Sequence, residues 1–325
     1  MAEAKRYVNI LSIMNANKLK GHAAVLTANV IFGLNIPVTK FLLSGWMSPL
    51  GYMLSRTAVA TLCFWAASLF AEKEKVSVRD LLLIALGGFM GFIVSQYLTA
   101  VSLQYTTPVH FSLIVALSPV VVMLLAALFL REPISRQKVA GVALGIAGAL
   151  LLVVRSLGTE SGENDLVGML LAVMSITGYG TYLIIVRSIA QKYTVITQMK
   201  WLFLFTALMM LPFGARDFGS QAVFSAAATW QAVAGLAFVI LLSTMLGYVL
   251  TPYGLKHLRA TTVSIYMNLQ PIVASVVAIF VGQDTFSWDK PIAAVLVIAG
   301  AYVVTTSRAK DDPDTSLPHP GHEVG

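Results

Sequence analysis

The chain is poor in charge. Only 11% of its 325 residues are Asp, Glu, Lys or Arg, whereas 57% are hydrophobic and the mean hydropathy is +0.79. A soluble domain carries roughly 25% charged residues, and one core cannot hide this much apolar surface from water. A soluble fold is excluded, and lipid must be the solvent for much of the chain. Cysteine is nearly missing. With Cys63 alone, an intramolecular disulfide is impossible, and its place inside an apolar run reads as packing. Carboxylates are missing from the middle of the apolar runs: all 15 acidic residues fall in loops, tails or span edges. That argues against a cation antiporter or proton relay built on a buried Asp or Glu. No HExxH, no paired intramembrane aspartates and no GxSxG occur, which disfavours a membrane enzyme. The histidines, His22, His110, His257, His319 and His322, are too scattered to suggest a metal site, and no cofactor is expected. The net charge of +7 comes from short flanks of apolar runs and forms no stripe, so nucleic acid is not an expected partner. The first 20 residues are too polar for a signal peptide.

What the chain does have is a long repeat. Residues 106–154 lie without a gap on 258–306, 152 residues further on. Ser112 falls on Ser264, Leu117 on Leu269, Pro119 on Pro271, Ser135 on Ser287 and Lys138 on Lys290, and the IAGA of 146–149 recurs at 298–301. Solenoid repeats have periods of roughly 20 to 50 residues, so this is a duplicated half-protein. Apolar runs of the roughly 20 residues that a membrane helix needs fall at 21–43, 48–70, 80–103, 107–130, 137–155, 165–188, 195–214, 229–252, 260–282 and 288–307. The expected fold is an all-α integral membrane protein with ten transmembrane helices. It comprises an N-terminal segment (1–20), five-helix repeats at 21–155 and 165–307, and a polar, Pro-rich tail (308–325) expected to be disordered. Before the first span, Tyr7, Leu11 and Met14 share a face, which reads as a short interfacial helix.

Basic residues set the orientation. Lys18, Lys20, Lys73, Lys75, Arg79, Arg131, Arg136, Arg187, Lys192, Lys256 and Arg308 flank spans on one side, and only Arg155, Arg216 and Lys290 on the other. Both termini are therefore expected in the cytoplasm, in a plasma (bacterial inner) membrane. An odd number of spans per half makes the halves inverted repeats, an arrangement common among secondary transporters.

Polar residues inside spans usually face the bundle interior or an aqueous path. His110, Ile114 and Ser118 share one helix face, and their repeat partners are Thr262, Tyr266 and Gln270. Both faces end at matched prolines, Pro119 and Pro271, which lie near mid-span and are expected to bend their helices. Asn35, Gln96, Tyr97, Tyr179, Tyr182 and Asn268 complete the candidate substrate contacts, and Gly33 and Gly178 are candidate points of bending. Arg56 lies about eight residues into its span, too deep for a flank, and with His110 would suit a substrate bearing a carboxylate or other anionic group; the alternative is an arginine held by backbone carbonyls for structure alone. The glycine spacings would permit a homodimer.

FGLNIPVTK (32–40), SPLGYMLSR (48–56) and LSPVVVMLLAALFLREPIS followed by GVALGIAGALL resemble motifs of the EamA-type permeases of the drug/metabolite transporter (DMT) superfamily. The resemblance runs over roughly 20–307 and includes Glu132 after the fourth span. It departs in the second copy, where Gln270 precedes Pro271 and Asp284 stands at the position of Glu132. It implies ten helices in two inverted repeats, with alternating access around a central cavity. Members move amino acids, nucleosides and other metabolites. The expected function is therefore a permease for a small metabolite, an amino acid or related solute, in the outward direction. The alternative is a nucleotide-sugar or phosphorylated-metabolite exchanger, and a non-transporting scaffold or a membrane enzyme ranks below both.

Overall fold

The computed structural model describes residues 2–106, 108–115, 117–131, 134–156, 165–216 and 218–282, with 286, 288, 291, 292, 295, 296, 299, 300, 302 and 303. Among them every regular element is helical. In chain order these are α1 (Ala2–Leu43), α2 (Pro49–Ser68), α3 (Val78–Gly88), a π-helical stretch (Phe89–Tyr97), α4 (Leu98–Tyr105), α5 (Pro108–Val115), α6 (Ser118–Phe129), α7 (Arg136–Ser156), α8 (Asp165–Ala190) and α9 (Val195–Gly214). Then come α10 (Trp230–Phe238), a second π-helical stretch (Val239–Leu246), α11 (Gly247–His257), α12 (Ala260–Ile265), a 3₁₀ turn (Tyr266–Asn268) and α13 (Leu269–Phe280). Among the described residues, six continuous helical segments are long and apolar enough to cross a membrane: Asn17–Leu43, Val78–Tyr105, Leu166–Ala190, Val195–Gly214, Trp230–His257 and Ala260–Phe280.

The helices begin where the sequence offers caps. Ser48, Ser77, Thr194 and Thr229 each accept a hydrogen bond from the backbone N–H three residues on, satisfying a donor the helix leaves unpaired. Pro49 follows Ser48 at the first helical position, where its missing N–H costs nothing. The separate interfacial helix expected before residue 21 is instead the first part of α1, which runs unbroken to Leu43. No proline interrupts residues 2–20, and Gly21 lies so close to α11 that a Cβ there would stand 3.1 Å from His257 and 3.3 Å from Leu258.

Two helices organise the packing, and each leans on the other copy of the repeat. α1 packs on α11 and α13 from the second copy. α8, from the second copy, packs on the first π-helical stretch, α4 and α6. α2 and α9 pair alongside. Between them lies a buried run of rings: Phe64 stacks on Phe203, Phe203 meets Phe92, and Phe92 sits 4.5 Å from Tyr248, which also contacts Phe32 and Tyr182. Large apolar side chains such as Leu62, Phe70, Leu128, Phe213 and Phe280 point outward from the bundle. That outward face would be unstable in water and is what a helix shows to lipid.

Both matched prolines follow a break. α5 ends at Val115 and α6 restarts at Ser118 with Pro119 in its first turn. On the other copy a 3₁₀ turn over Tyr266–Asn268 precedes α13, which contains Pro271. Gly33 and Gly178, the candidate points of bending, lie inside α1 and α8, where each lets a neighbouring helix approach closely. A Cβ on Gly33 would stand 2.7 Å from Val273, and one on Gly178 would stand 2.8 Å from Val94 and 2.9 Å from the Met90 carbonyl. Small residues at such crossings let helices approach without lipid between them.

Candidate functional site

The site is built around Arg56, whose side chain is 0% exposed in the middle of α2. Its Nε donates to Thr244 Oγ1 at 2.8 Å, and its Nη1 donates to the Tyr52 hydroxyl at 3.2 Å and to Gln96 Oε1 at 3.1 Å. The guanidinium also lies over the Tyr52 and Phe92 rings, 5.3 and 5.9 Å from their centroids. Its Nη2 has no partner, and no carboxylate among the described residues pairs with it. Removing a guanidinium from water is costly, and neutral oxygens and ring faces repay only part of that cost. An intramembrane cation held this way is a candidate functional site.

The two π-helical stretches meet at this side chain. Gln96 belongs to the first and Thr244 to the second, and Thr244 also donates to the carbonyl of Val239, five residues back. π-Helical turns concentrate at functional sites because the extra residue per turn displaces side chains from α register. Among the residues missed in the sequence, Thr244 and Tyr52 are the most telling. A threonine and a tyrosine in apolar runs give no periodic signal, and π-helix leaves no compositional one.

Beside this centre lies a cavity of about 50 Å³, room for several waters at about 10–15 Å³ each. α1 contributes Phe32, Asn35 and Ile36; the first π-helical stretch and α4 contribute Ser95, Gln96 and Thr99; α5 contributes Phe111 and Val115. The second copy adds Ser175, Ile176 and Tyr179 from α8, with Met267 and Gln270 from the broken helix around the 3₁₀ turn. Asn35, Gln96, Tyr179 and Gln270, four of the candidate substrate contacts, line this one cavity. Asn35 Oδ1 is buried and unpartnered, while Gln270 donates to Asn29 Oδ1 at 2.7 Å.

The other candidates lie around this cavity without lining it. Tyr182 is buried against Tyr179 and Tyr248 with its hydroxyl unpartnered. Ser118 is buried at the break between α5 and α6, its Oγ unpartnered. Asn268 is buried, its amide nitrogen facing Gly145 of α7. Tyr266 shares a 2.8 Å hydrogen bond with His22 of α1, and Tyr97 is half-buried at the end of the first π-helical stretch. His110 belongs to α5, but its side chain lies outside the described residues, as do Glu132, Asp284 and Lys290. Lys40 is engaged at the end of a helix: it donates to the carbonyls of Leu103 and Thr106, where α4 finishes. In the second copy Arg187 donates to the carbonyl of Leu255 near the end of α11, an equivalent role. A cation at a helix C-terminus satisfies carbonyls that have no intrahelical donor.

Known proteins can now be set beside this geometry. The profile of the EamA-like transporter family matches residues 19–154 and again residues 166–306. An uncharacterized transporter of Bacillus subtilis (strain 168), YyaM, is 26% identical over 292 residues, covering 87% of this chain and 92% of its own. A protein of Streptantibioticus cattleyicolor named "probable terminal-alkyne amino-acid exporter" is 28% identical over 259 residues, covering 79% and 83%. A solved crystal structure superposes with a TM-score of 0.66 at 18% identity, over 90% of this chain and 96% of that one, a likeness of fold alone. With two successive family matches spanning most of its length, this chain belongs to the EamA-like transporter family, in the DMT superfamily.

Proposed function

We propose that this protein is a secondary transporter that moves a small carboxylate-bearing metabolite, an amino acid or related solute, outward across a plasma (bacterial inner) membrane. The observation that carries the substrate class is Arg56: a buried guanidinium with no counter-ion among the described residues and one unpartnered nitrogen, next to a cavity. A carboxylate is the group whose charge and planar fork complement it. The amino-acid exporter named among the relatives is consistent with this chemistry.

The proposed mechanism is alternating access by two inverted five-helix repeats in a ten-helix bundle, with both termini in the cytoplasm. Several features favour the inverted pairing. α1 leans on α11 and α13 as α8 leans on the first π-helical stretch, α4 and α6. π-Helix recurs at Phe89–Tyr97 and Val239–Leu246, and breaks recur before both matched prolines. A cavity walled by both copies is where such transporters bind their cargo, and rocking of one copy against the other exposes it to each side in turn.

The test is flux in proteoliposomes against amino acids, other organic acids, nucleosides and sugar phosphates. Carboxylate-bearing solutes should move, and Arg56→Gln should abolish that movement. Flux restricted to strict exchange of nucleotide sugars or phosphorylated metabolites would replace the substrate class. No flux of any solute would sink the transporter reading.

A further inference from the structure

We propose that Gln96 is a removable cap on the Arg56 anion site: its amide oxygen occupies the guanidinium in the empty carrier, and the substrate's carboxylate takes its place. This rests on the transporter reading above and adds to it the residue that admits the substrate.

Arg56 does not line the cavity, and Gln96 does. Among the cavity-lining residues Gln96 is the one bonded to the guanidinium, so this side chain separates the cargo space from the charge. The other two oxygen partners are tied elsewhere. The Tyr52 hydroxyl also bonds Thr39 of α1 at 2.8 Å, and Thr244 is bonded to the Val239 carbonyl. Gln96 is only half-buried, and it lies in the last turn of a π-helical stretch whose backbone register differs from that of the α-helices on either side.

The chemistry of the exchange is favourable. A guanidinium presents its N–H groups as a planar fork, and a carboxylate takes two prongs together. Gln96 gives a neutral oxygen to Nη1 and leaves Nη2 empty. A carboxylate in that position would satisfy both nitrogens and neutralise the charge, so the amide is a weaker stand-in for the ligand. Swinging Gln96 away would join the cavity to the anion site and enlarge the space for cargo.

Two substitutions at this position have opposite expected effects, which an ordinary cavity-wall residue would not produce. Gln96→Glu places a permanent carboxylate on Arg56, and the dissociation constants of amino acids should rise at least tenfold. Gln96→Leu removes the cap and leaves the guanidinium with Thr244 and Tyr52 as its oxygen partners, and the same amino acids should bind several-fold more tightly. The measurement is thermal stabilisation of the purified full chain by amino acids, each compared with its carboxamide, together with proteoliposome flux. Amino-acid binding that is unchanged in Gln96→Glu, or that is weakened in both variants, overturns the cap while leaving the transporter reading in place. If wild-type protein neither binds nor moves any carboxylate-bearing solute, the underlying reading fails instead. Should Gln96→Glu not fold, the sign of the Gln96→Leu effect decides.

Discussion

Replacing Gly178 by alanine separates packing from bending at that glycine. A Cβ at this position of α8 would lie 2.8 Å from Val94 Cγ1, 2.9 Å from the Met90 carbonyl oxygen and 3.1 Å from the Ser95 nitrogen. Two of those three atoms are backbone of the first π-helical stretch, so no side-chain rotation relieves the clash and the two helices must part. Overpacking of this kind costs about 1–3 kcal/mol. The change also gains about 1 kcal/mol from helix propensity, so the net expectation is a loss of about 0–2 kcal/mol. Gly87→Ala is the matched control. Its Cβ would meet only Ile185 Cγ2, at 3.4 Å, an ordinary contact, so it keeps the propensity gain and should equal or exceed wild type. Thermal unfolding of the three proteins in one detergent should rank Gly87→Ala first and Gly178→Ala last. Because Ser95 and Gln96 line the cavity, transport should fall with Gly178→Ala as well. A Gly178→Ala protein as stable as Gly87→Ala would refute the reasoning and return that glycine to the role of a hinge.

Arg56→Met should abolish carboxylate binding while leaving thermal stability unchanged or raised, because it removes a buried charge that has no counter-ion among the described residues; a large destabilisation would assign Arg56 a structural role. Asn29→Leu and Gln270→Leu should show a coupling of about 0.6 kcal/mol, and at most about 1.7, in a double-mutant cycle, the range for interhelical hydrogen bonds in membranes; additivity would mean that the bond contributes nothing. Glu74 caps the start of α9 by accepting from Thr194. Burial opposes its charge, but the hydrogen bonds from Thr197 and Thr194 and the nearby Lys200 outweigh it and hold the carboxyl below its ordinary value of 4.5. The stability this gives is full above about pH 4.5 and is lost as pH falls through the lower folded value. Glu74→Gln should therefore narrow the stability gap between pH 7 and pH 4, and a gap the same as wild type would exclude Glu74 as its source.

Much of this architecture is legible in the sequence because lipid imposes a simple rule: backbone must be satisfied within each helix, so long apolar runs become helices. The duplication located the two prolines, and a break precedes each of them. Arg56 could be singled out because a charge deep in an apolar run has no cheap structural explanation. The sequence does not reveal its partners. Thr244 is 188 residues away from Arg56 and Gln96 is 40 away, and both are brought in by π-helical turns whose residues look no different from those of α-helix. Gly33 and Gly178 read as bends for a related reason: glycine serves both flexibility and close approach, and only the neighbouring helix decides between them. Similarly, Tyr266 and Ser118 share faces with cavity residues in projection, but the helix breaks beside them turn them out of the lining.

Gly300 shows where the glycine spacing of the fifth span is used. A Cβ there would stand 2.5 Å from the Gly141 carbonyl oxygen and 2.8 Å from the Gly145 nitrogen, so bare backbone meets bare backbone. Gly141 and Gly145, whose spacing reads in the sequence as room for close helix packing, are met here by Gly300 of the same chain. Any larger side chain at position 300 would drive a wedge against Gly141 and Gly145, parting backbone of the two duplicated units where they touch without side chains between them.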